Sequence, residues 1–520
     1  MTLQDRDAAG LLRRSGETLT ALGRTVEAAE AFRQAVAADP TDEISANALA
    51  ITLHGMGLTE AAAAGLDDFI KMHRPAPRTR ANLAVLEAAL NRHASTVHHL
   101  HDALAEDPAL PGAALGLGVA LRALDDIAGA RSAFEQALAV PSDAFEARRA
   151  LNEVCQILGD RPSALRHLKD AIAEQPVFTR PASGVAKRRL LILAVPGDWQ
   201  ANMPLEFLLD PADTDLSTLW LTPPATGASD PKAWLPPTLP PFDAVFTAIA
   251  ECDEVAPALA AAEGIVAHLG CASFNQPALI ARLSRDRVPD LLAGIPDCLV
   301  PHTARLGRDA LAPSARAATL ADQRLTYPFI IRPRDSHAGR DLARIDTPTD
   351  LDAWLASVVD AEVAAAPYID YASADGLFRK LRVVFVDGQP MPYHFAIHTD
   401  WRVWYYNSGM PHHAWMREEE ARFLEDMPSF VGPTVMAALE AIGRRVGLDW
   451  FGLDCAITPE GELLVFEIET GMIVHDLDDP VLYPYKKRFV PRIFRAIETM
   501  IDQRITASRA PGKFYLKGHS

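Results

Sequence analysis

The chain has 520 residues, of which 49% are hydrophobic and 23% charged, and it carries a formal net charge of −18. That composition supplies several hydrophobic cores and excludes a disordered chain, while a polyanion lacks the phosphate-neutralising term behind general binding to nucleic acid or anionic membranes. The cysteines, Cys155, Cys252, Cys271, Cys298 and Cys455, are scattered and form no CxxC pair, so a disulfide scaffold or zinc ribbon is not expected, and with neither a signal peptide nor a membrane span legible the expected location is cytoplasmic.

Residues 9–178 repeat with a period of 34. Phe32, Leu66, Leu100, Phe134 and Leu168 share one phase. Ala28, Ala62, Thr96, Ala130 and Ala164 precede them by four residues, and Ala35, Phe69, Ala103, Ala137 and Ala171 follow by three. Gly23, Gly57, Asn91, Asp125 and Gly159 fill a turn phase, and a proline lies at or beside the position eight residues after each large residue. Two short helices per unit need small residues where they cross and a large one to fill the groove, with a turn and a proline to stop each unit. This pattern resembles the tetratricopeptide repeat (TPR) in about five copies. The resemblance implies an all-α solenoid with a concave surface for a peptide or protein.

After Pro176 the period stops. "FTRPASGVAKRR", taken with its neighbours as a linker over 179–189, leads into "LLILAVPGD", which reads as a buried strand ending in a turn. "TLWLTPP" and "FDAVFTAIA" repeat that style, and 255–263 reads as helix, so residues 190–300 are expected to form an α/β sheet with a ligand crevice at its strand ends. From 301 to about 505 the style is α+β. "KLRVVFVDGQPMPYHFAIH" is a hairpin around Asp387-Gly388, "WFGLDCAITPEGELLVFEIE" another around Glu460-Gly461, and 431–446 reads as helix.

With Glu460-Gly461 as a two-residue turn, Asp454 lies directly opposite Glu467, and Glu469 shares its face. Neighbours at this spacing repel by on the order of 3 kcal/mol per pair at an effective dielectric near 20. No Lys or Arg lies nearby in sequence, so protonation, a remote cation or a divalent metal must relieve the three carboxylates. Their hard oxygens suit Mg²⁺ shared with substrate phosphates. Upstream, "RPRDSHAG" places Arg332 before a glycine-bearing loop whose backbone N–H groups suit phosphate oxygens.

Residues from about 188 to 500 resemble the ATP-grasp superfamily of ligases, on four elements: "SRDRVPDLLAGIPDCLVP", "YPFIIRPRDSHAG", "APYIDY" and "GLDCAIT…LLVFEIETG". The resemblance implies a pre-ATP-grasp substrate domain at 190–300 and an ATP-grasp catalytic domain at 301–505. It implies ATP contacts from Arg287, Arg332, Ser336, His337, Gly339, Tyr368 and Ile369, metal ligation by Asp454, Glu467 and Glu469, and Arg382 with Arg332 at the transferred phosphate. Arginines stand where the family commonly has lysines, and Glu469 stands where its metal motif usually has asparagine. The implied chemistry is ATP- and Mg²⁺-dependent joining of a carboxylate to an amine through an acylphosphate, with the repeat arm recruiting a peptide or protein. His394, His398 and Lys486 are candidate substrate contacts. The alternatives are an adaptor whose nucleotide domain senses ATP or is non-catalytic, and a phosphotransferase on the same fold.

Overall fold

The chain divides into two compact units, Met1–Gln175 and Pro176–Ser520. The computed structural model describes residues 3–197, 200–223, 230–334, 336 and 339–509. No helix among them is long and apolar enough to cross a membrane, and the five cysteines are free thiols.

The first unit is a helical repeat array of consecutive hairpins: α1 (Leu3–Ala21) with α2 (Thr25–Ala38), α3 (Glu43–Gly55) with α4 (Thr59–Met72), α5 (Pro77–Ala89) with α6 (His93–Glu106), α7 (Ala113–Ala123) with α8 (Ile127–Ala137), and α9 (Ala144–Ile157) with α10 (Arg161–Glu174). Every large and small residue of the 34-residue phases falls on a second helix and is buried. The turn phase is left-handed throughout, with φ of 72° at Gly23, 79° at Gly57, 57° at Asn91, 64° at Asp125 and 76° at Gly159. Glycine meets that geometry without strain, and Asn and Asp tolerate it.

One regularity escapes a reading by residue class. A Cβ on Gly16 would lie 2.6 Å from the Phe32 ring, and one on Gly118 would lie 2.4 Å from the Phe134 ring. The same first-helix phase holds Ala50 and Ala84, which pack in the clusters of Leu66 and Leu100. In the first four copies phenylalanine goes with glycine and leucine with alanine, so the pair volume is kept while its distribution changes, and the fifth copy departs from this with Asn152 in the phase that accompanies Leu168.

The second unit opens with a five-stranded sheet of β1 (Val177–Arg180), β2 (Arg188–Ala194), β3 (Thr214–Trp220), β4 (Ala244–Thr247) and β5 (Ala272–Phe274), in the order β1-β3-β2-β4-β5. The last four run parallel and β1 is an antiparallel edge. Parallel strands are apolar on both faces because both are covered. Leu191, Leu193 and Val245 pack toward α11 (Ala256–Leu269), while Leu190, Ile192 and Phe246 pack toward the helix Pro491–Arg509. The expected linker over 179–189 is corrected here. Val177 and Phe178 are buried in β1, with Phe178 edge-on to Trp220 at 5.5 Å, and Arg188 already begins β2. Two apolar residues ahead of a polar run are enough to add an edge strand.

A second sheet holds β7 (Ala304–Gly307), β8 (Phe329–Pro333), β9 (Ala343–Ile345) and β10 (Glu362–Pro367) in the order β7-β10-β8-β9. It packs against Leu351 and Trp354 of the helix Pro348–Ser357. The third sheet holds β6 (Cys298–Leu299), β11 (Phe378–Val386), β12 (Gln389–His398), β13 (Trp450–Ile457) and β14 (Leu463–Glu469) in the order β12-β11-β13-β14-β6. Its apolar face packs on the helices Ala414–Glu425 and Met427–Val446 through Val383, Phe385, Phe395 and Leu453.

The Asp387-Gly388 turn has two residues, as its sequence predicts, with φ of 50° and 74°. The second hairpin differs. Ile457 pairs with Leu463, and the turn between them is closed by the Thr458 N–H donating to the Glu462 carbonyl at 2.9 Å. Gly461 takes φ 88° within it.

Candidate functional site

Both hairpins change register one step before the residues that matter. From its turn, β12 would set Tyr393 opposite Arg382, but a bulge carries the ladder past Tyr393 and sets His394 there instead. From its turn, β14 would set Phe466 opposite Asp454, and a second bulge substitutes Glu467. The expected opposition of Asp454 and Glu467 is therefore present, produced by a longer turn and a bulge. Arg382 also pairs with Asp454. His394, Arg382, Asp454 and Glu467 thus make one rung across four strands, and bulges commonly re-aim side chains in this way.

The rung lies in a cleft of about 950 Å³ within the second unit. Arg332 and Gly339 line it, as do Tyr368 and Ile369 after β10. His398 and Glu469 line it too, and so does Lys486 on the short helix Lys486–Phe489. Ser336 is fully buried, where it accepts from Arg332 Nε at 2.8 Å and donates to the Pro333 carbonyl at 2.9 Å. His337 lies outside the described residues.

Arg287 does not reach the cleft; it is exposed, and its guanidinium donates to the Ala281 carbonyl at 2.9 Å. The cation that does reach in is Arg285, two residues earlier, whose guanidinium lies 2.7 Å from Glu467. The sequence "SRDR" offers both arginines, and only the turn into the helix Val288–Leu292 decides between them.

The carboxylates are met by cations from distant parts of the chain. Arg382 donates to both Asp454 oxygens, at 2.7 and 2.9 Å, and Lys380 Nζ lies 2.6 Å from the same carboxylate. Burial pushes Asp454 up, but Arg382 and Lys380 hold it far below the usual carboxylate range. Burial likewise raises Glu467, and Arg285, Arg332 and Lys380 bring it down to about 2. Glu469 goes the other way: burial and the Glu467 charge push it up to about 7. Burial and the nearby Arg285 lower Arg332 to about 10.

The expected three-carboxylate metal set is corrected on this geometry. No group of three His, Cys, Asp or Glu residues placed to hold a metal occurs among the described residues. Both Asp454 oxygens accept from Arg382, so remote cations do what the metal was expected to do. Glu467 and Glu469 lie two residues apart on β14 and both line the cleft. Two hard carboxylates are a donor set that fits Mg²⁺ when substrate phosphates and water complete it.

At one end of the cleft, Arg344 stacks over the Tyr368 ring at 4.2 Å, and Trp401 meets that ring edge-on at 5.8 Å. At the other, His394 lies between Tyr393 and Tyr405, with ring centroids 5.0 and 4.7 Å away. Burial, Arg382 and Lys486 keep its imidazole neutral, well below the ordinary value. Lys486, a surface cation on its sequence "YPYKKRF", is 3% exposed and lies 3.4 Å from Glu420 and 3.0 Å from Asp478. Neither Glu420 nor Asp478 is marked by its sequence.

No protein-family model matches this chain, and no curated protein matches it. Among solved structures, a MamA fragment from Desulfovibrio magneticus RS-1 matches at TM-score 0.30 and 17% identity, covering 32% of this chain and 94% of that one. A tetratricopeptide repeat protein from Parabacteroides merdae ATCC 43184 matches at TM-score 0.30 and 18% identity, covering 33% and 68%. A thermophilic TPR protein in Thermus thermophilus matches at TM-score 0.27 and 26% identity, covering 32% and 92%. These similarities fall on the N-terminal third.

Proposed function

We propose that the second unit is an ATP- and Mg²⁺-dependent ligase of the ATP-grasp type, joining a carboxylate to an amine with release of ADP, and that the repeat array recruits the peptide or protein on which it acts. The observation that carries this reading is the rung His394–Arg382–Asp454–Glu467, set in a cleft that also holds Arg285, Arg332 and Lys380. Four cations around three acids suit a ligand that brings several negative charges and an ion of its own. Tyr368, Ile369 and Trp401 give the apolar end for a base, and Arg332 with the Gly339 loop faces the phosphates.

Mg²⁺, when bound, would be held by Glu467 and Glu469 and would offset charge on the phosphates. The chain's own residues then do the rest by position. Arg382 is fixed by Asp454 on one side and faces the reacting phosphoryl group from the sheet. A fixed guanidinium stabilises charge that builds up during transfer without reorganising at that moment.

The test is mass spectrometry of a cell extract incubated with ATP, Mg²⁺ and the protein, beside Arg382→Ala and Glu467→Gln. A mass increment that appears with ADP and is lost in both variants supports the ligase and identifies the joined pair. A stable phosphoester would indicate a phosphotransferase. No magnesium-dependent ATP uptake by calorimetry would leave an adaptor built on the repeat array.

A further inference from the structure

Aromatic rings from separate elements meet at the end of the cleft away from Tyr368. Phe207 comes from the helical turn Leu205–Phe207, Tyr393 and His394 from β12, Tyr405 from the turn Tyr405–Asn407, and His475 from the loop after β14. They meet in series, with ring centroids 6.5 Å apart for Phe207 and His475, 5.0 Å for Tyr393 and His394, and 4.7 Å for His394 and Tyr405. The link between His475 and Tyr393 is polar. The His475 backbone N–H donates to the Tyr393 hydroxyl at 3.0 Å, and that hydroxyl donates to the His475 carbonyl at 3.3 Å. All of these residues line the cleft.

The polar atoms of this wall are engaged with one another. Lys486 Nζ donates to the Tyr405 hydroxyl and lies 3.0 Å from Asp478. Arg382 and Lys380 share Asp454, and Glu420 is fully buried and does not line the cleft. Asp454 and Asp478 therefore each face a cation already, while Arg382, Lys380 and Lys486 all face His394. That balance does not favour a cationic ligand. What the wall offers is ring surface, most of it on Phe207, which is 40% exposed. Such surface takes another ring, stacked or edge-on. An independent feature adds one polar contact. His394 is 9% exposed, and its Nδ1 has no hydrogen-bond partner in the protein. A buried polar atom left unpaired is costly. A hydroxyl on an incoming ring can donate to that nitrogen or accept from it, whichever tautomer the imidazole holds.

We propose that this end of the cleft is a subsite for a hydroxylated aromatic ring of the substrate, with Phe207 and Tyr405 against the ring and His394 Nδ1 on the hydroxyl. The inference rests on the ligase reading and deepens it, because it names a side group that one of the joined partners carries. A peptide presents such a group as a tyrosine side chain.

The experiment is calorimetric titration of the full chain by the amides of N-acetyl-L-tyrosine, N-acetyl-L-phenylalanine and N-acetyl-L-cyclohexylalanine. ADP and Mg²⁺ are present, so that the base end is filled and nothing turns over. The probes are uncharged and differ only in the hydroxyl and the flatness of the ring. Saturable binding is expected, strongest for the tyrosine amide and roughly tenfold weaker for the phenylalanine amide, which lacks the hydroxyl. The cyclohexyl probe, as apolar but not flat, should bind roughly threefold more weakly again. In a folded His394→Phe the tyrosine amide should lose its advantage over the phenylalanine amide. Phe207→Ala, at a partly exposed position, should weaken both aromatic probes roughly fivefold. Equal binding of the three probes overturns the proposal, and so does binding seen only when ADP is left out, which places the ring at the base end. The probe contrast uses the unmodified protein, so it decides even if His394→Phe fails to fold. ADP uptake without probe binding removes this subsite and leaves the ligase reading standing. A preference for the tyrosine amide that Phe207→Ala weakens, with no uptake of nucleotide, supports the ring subsite while removing the ligase.

Discussion

The two units of this protein use the same chemistry over different distances along the chain. In the repeat array, each buried residue meets partners within its own helical pair or the next, and the same positions recur every 34 residues. In the second unit, the groups that define the cleft are far apart in sequence: Arg382 and Asp454 are 72 residues apart, and Arg285 and Glu467 are 182 apart. A local, repeated contact leaves a visible period. A single long-range contact leaves none, and its members become partners only when strands pair.

The largest effect that distinguishes the units is expected at Asp454. Asp454→Ala leaves Arg382 and Lys380 facing each other in a mostly buried site, which should cost roughly 3–5 kcal/mol in urea denaturation. Replacing Asp454 by Leu together with Arg382 by Met should recover most of that loss, because no unpaired charge then remains. If Asp454→Ala costs less than about 1 kcal/mol, the rung is solvated and the contrast with the array weakens.

The array offers a sharper test because its repeats supply the controls. Gly118→Ala drives a methyl into the Phe134 ring and should cost roughly 1–3 kcal/mol. Phe134→Leu alone leaves a gap and should cost about 1 kcal/mol or somewhat more. Together they reproduce the alanine–leucine combination found at Ala84 and Leu100, and thermal denaturation should find the double variant within about 1 kcal/mol of the parent. Strict additivity of the two losses would show that pair volume is not what the array conserves.

What the sequence made legible follows the same division. The period, the buried positions and the turn phase of the array were readable because every copy corroborates the others. In the second unit, Asp454, Glu467 and Glu469 were readable as a carboxylate cluster from the hairpin arithmetic, and Arg382 was singled out by the resemblance alone. Their neighbours were not. Arg285 was hidden behind Arg287, which sits in the same four residues and points outward. Lys380, two residues before Arg382 on the same strand face, carries no mark except that spacing. Glu420 and Asp478, which pair with Lys486, come from a helix and a loop whose placement only tertiary packing decides. The bulges at Tyr393 and Phe466 leave no residue-level trace, yet they choose which side chains face the cleft.

A smaller effect is expected in the turn phase. Asp125 holds φ 64° where three of the other four copies have glycine. Asp125→Gly should stabilise the protein by a few tenths to about 1 kcal/mol, because the left-handed cost falls on a residue with a Cβ. Asn91→Gly should gain less, since asparagine tolerates this geometry best among residues with side chains. A loss at either position would mean that the side chain makes a contact worth more than the strain.

The smallest effect is expected at Asp375, whose ion pair is local and exposed. Asp375 and Arg379 are four residues apart, across the turn into β11, and form a two-pronged pair at 3.0 and 2.9 Å. The Arg379 hydrogen bond holds the Asp375 carboxyl down to about 2, from an ordinary 3.8. A depressed folded value contributes stability above pH 3.8 that fades as pH falls toward 2. Asp375 is 49% exposed, so the surrounding water reduces that contribution to a few tenths of a kcal/mol. Asp375→Asn should therefore lower stability slightly at pH 6, with the difference from the parent closing between about pH 4 and pH 2. A difference above about 1 kcal/mol at pH 6 would place this pair in the class of Asp454–Arg382, and the contrast between exposed local pairs and buried long-range ones would fail.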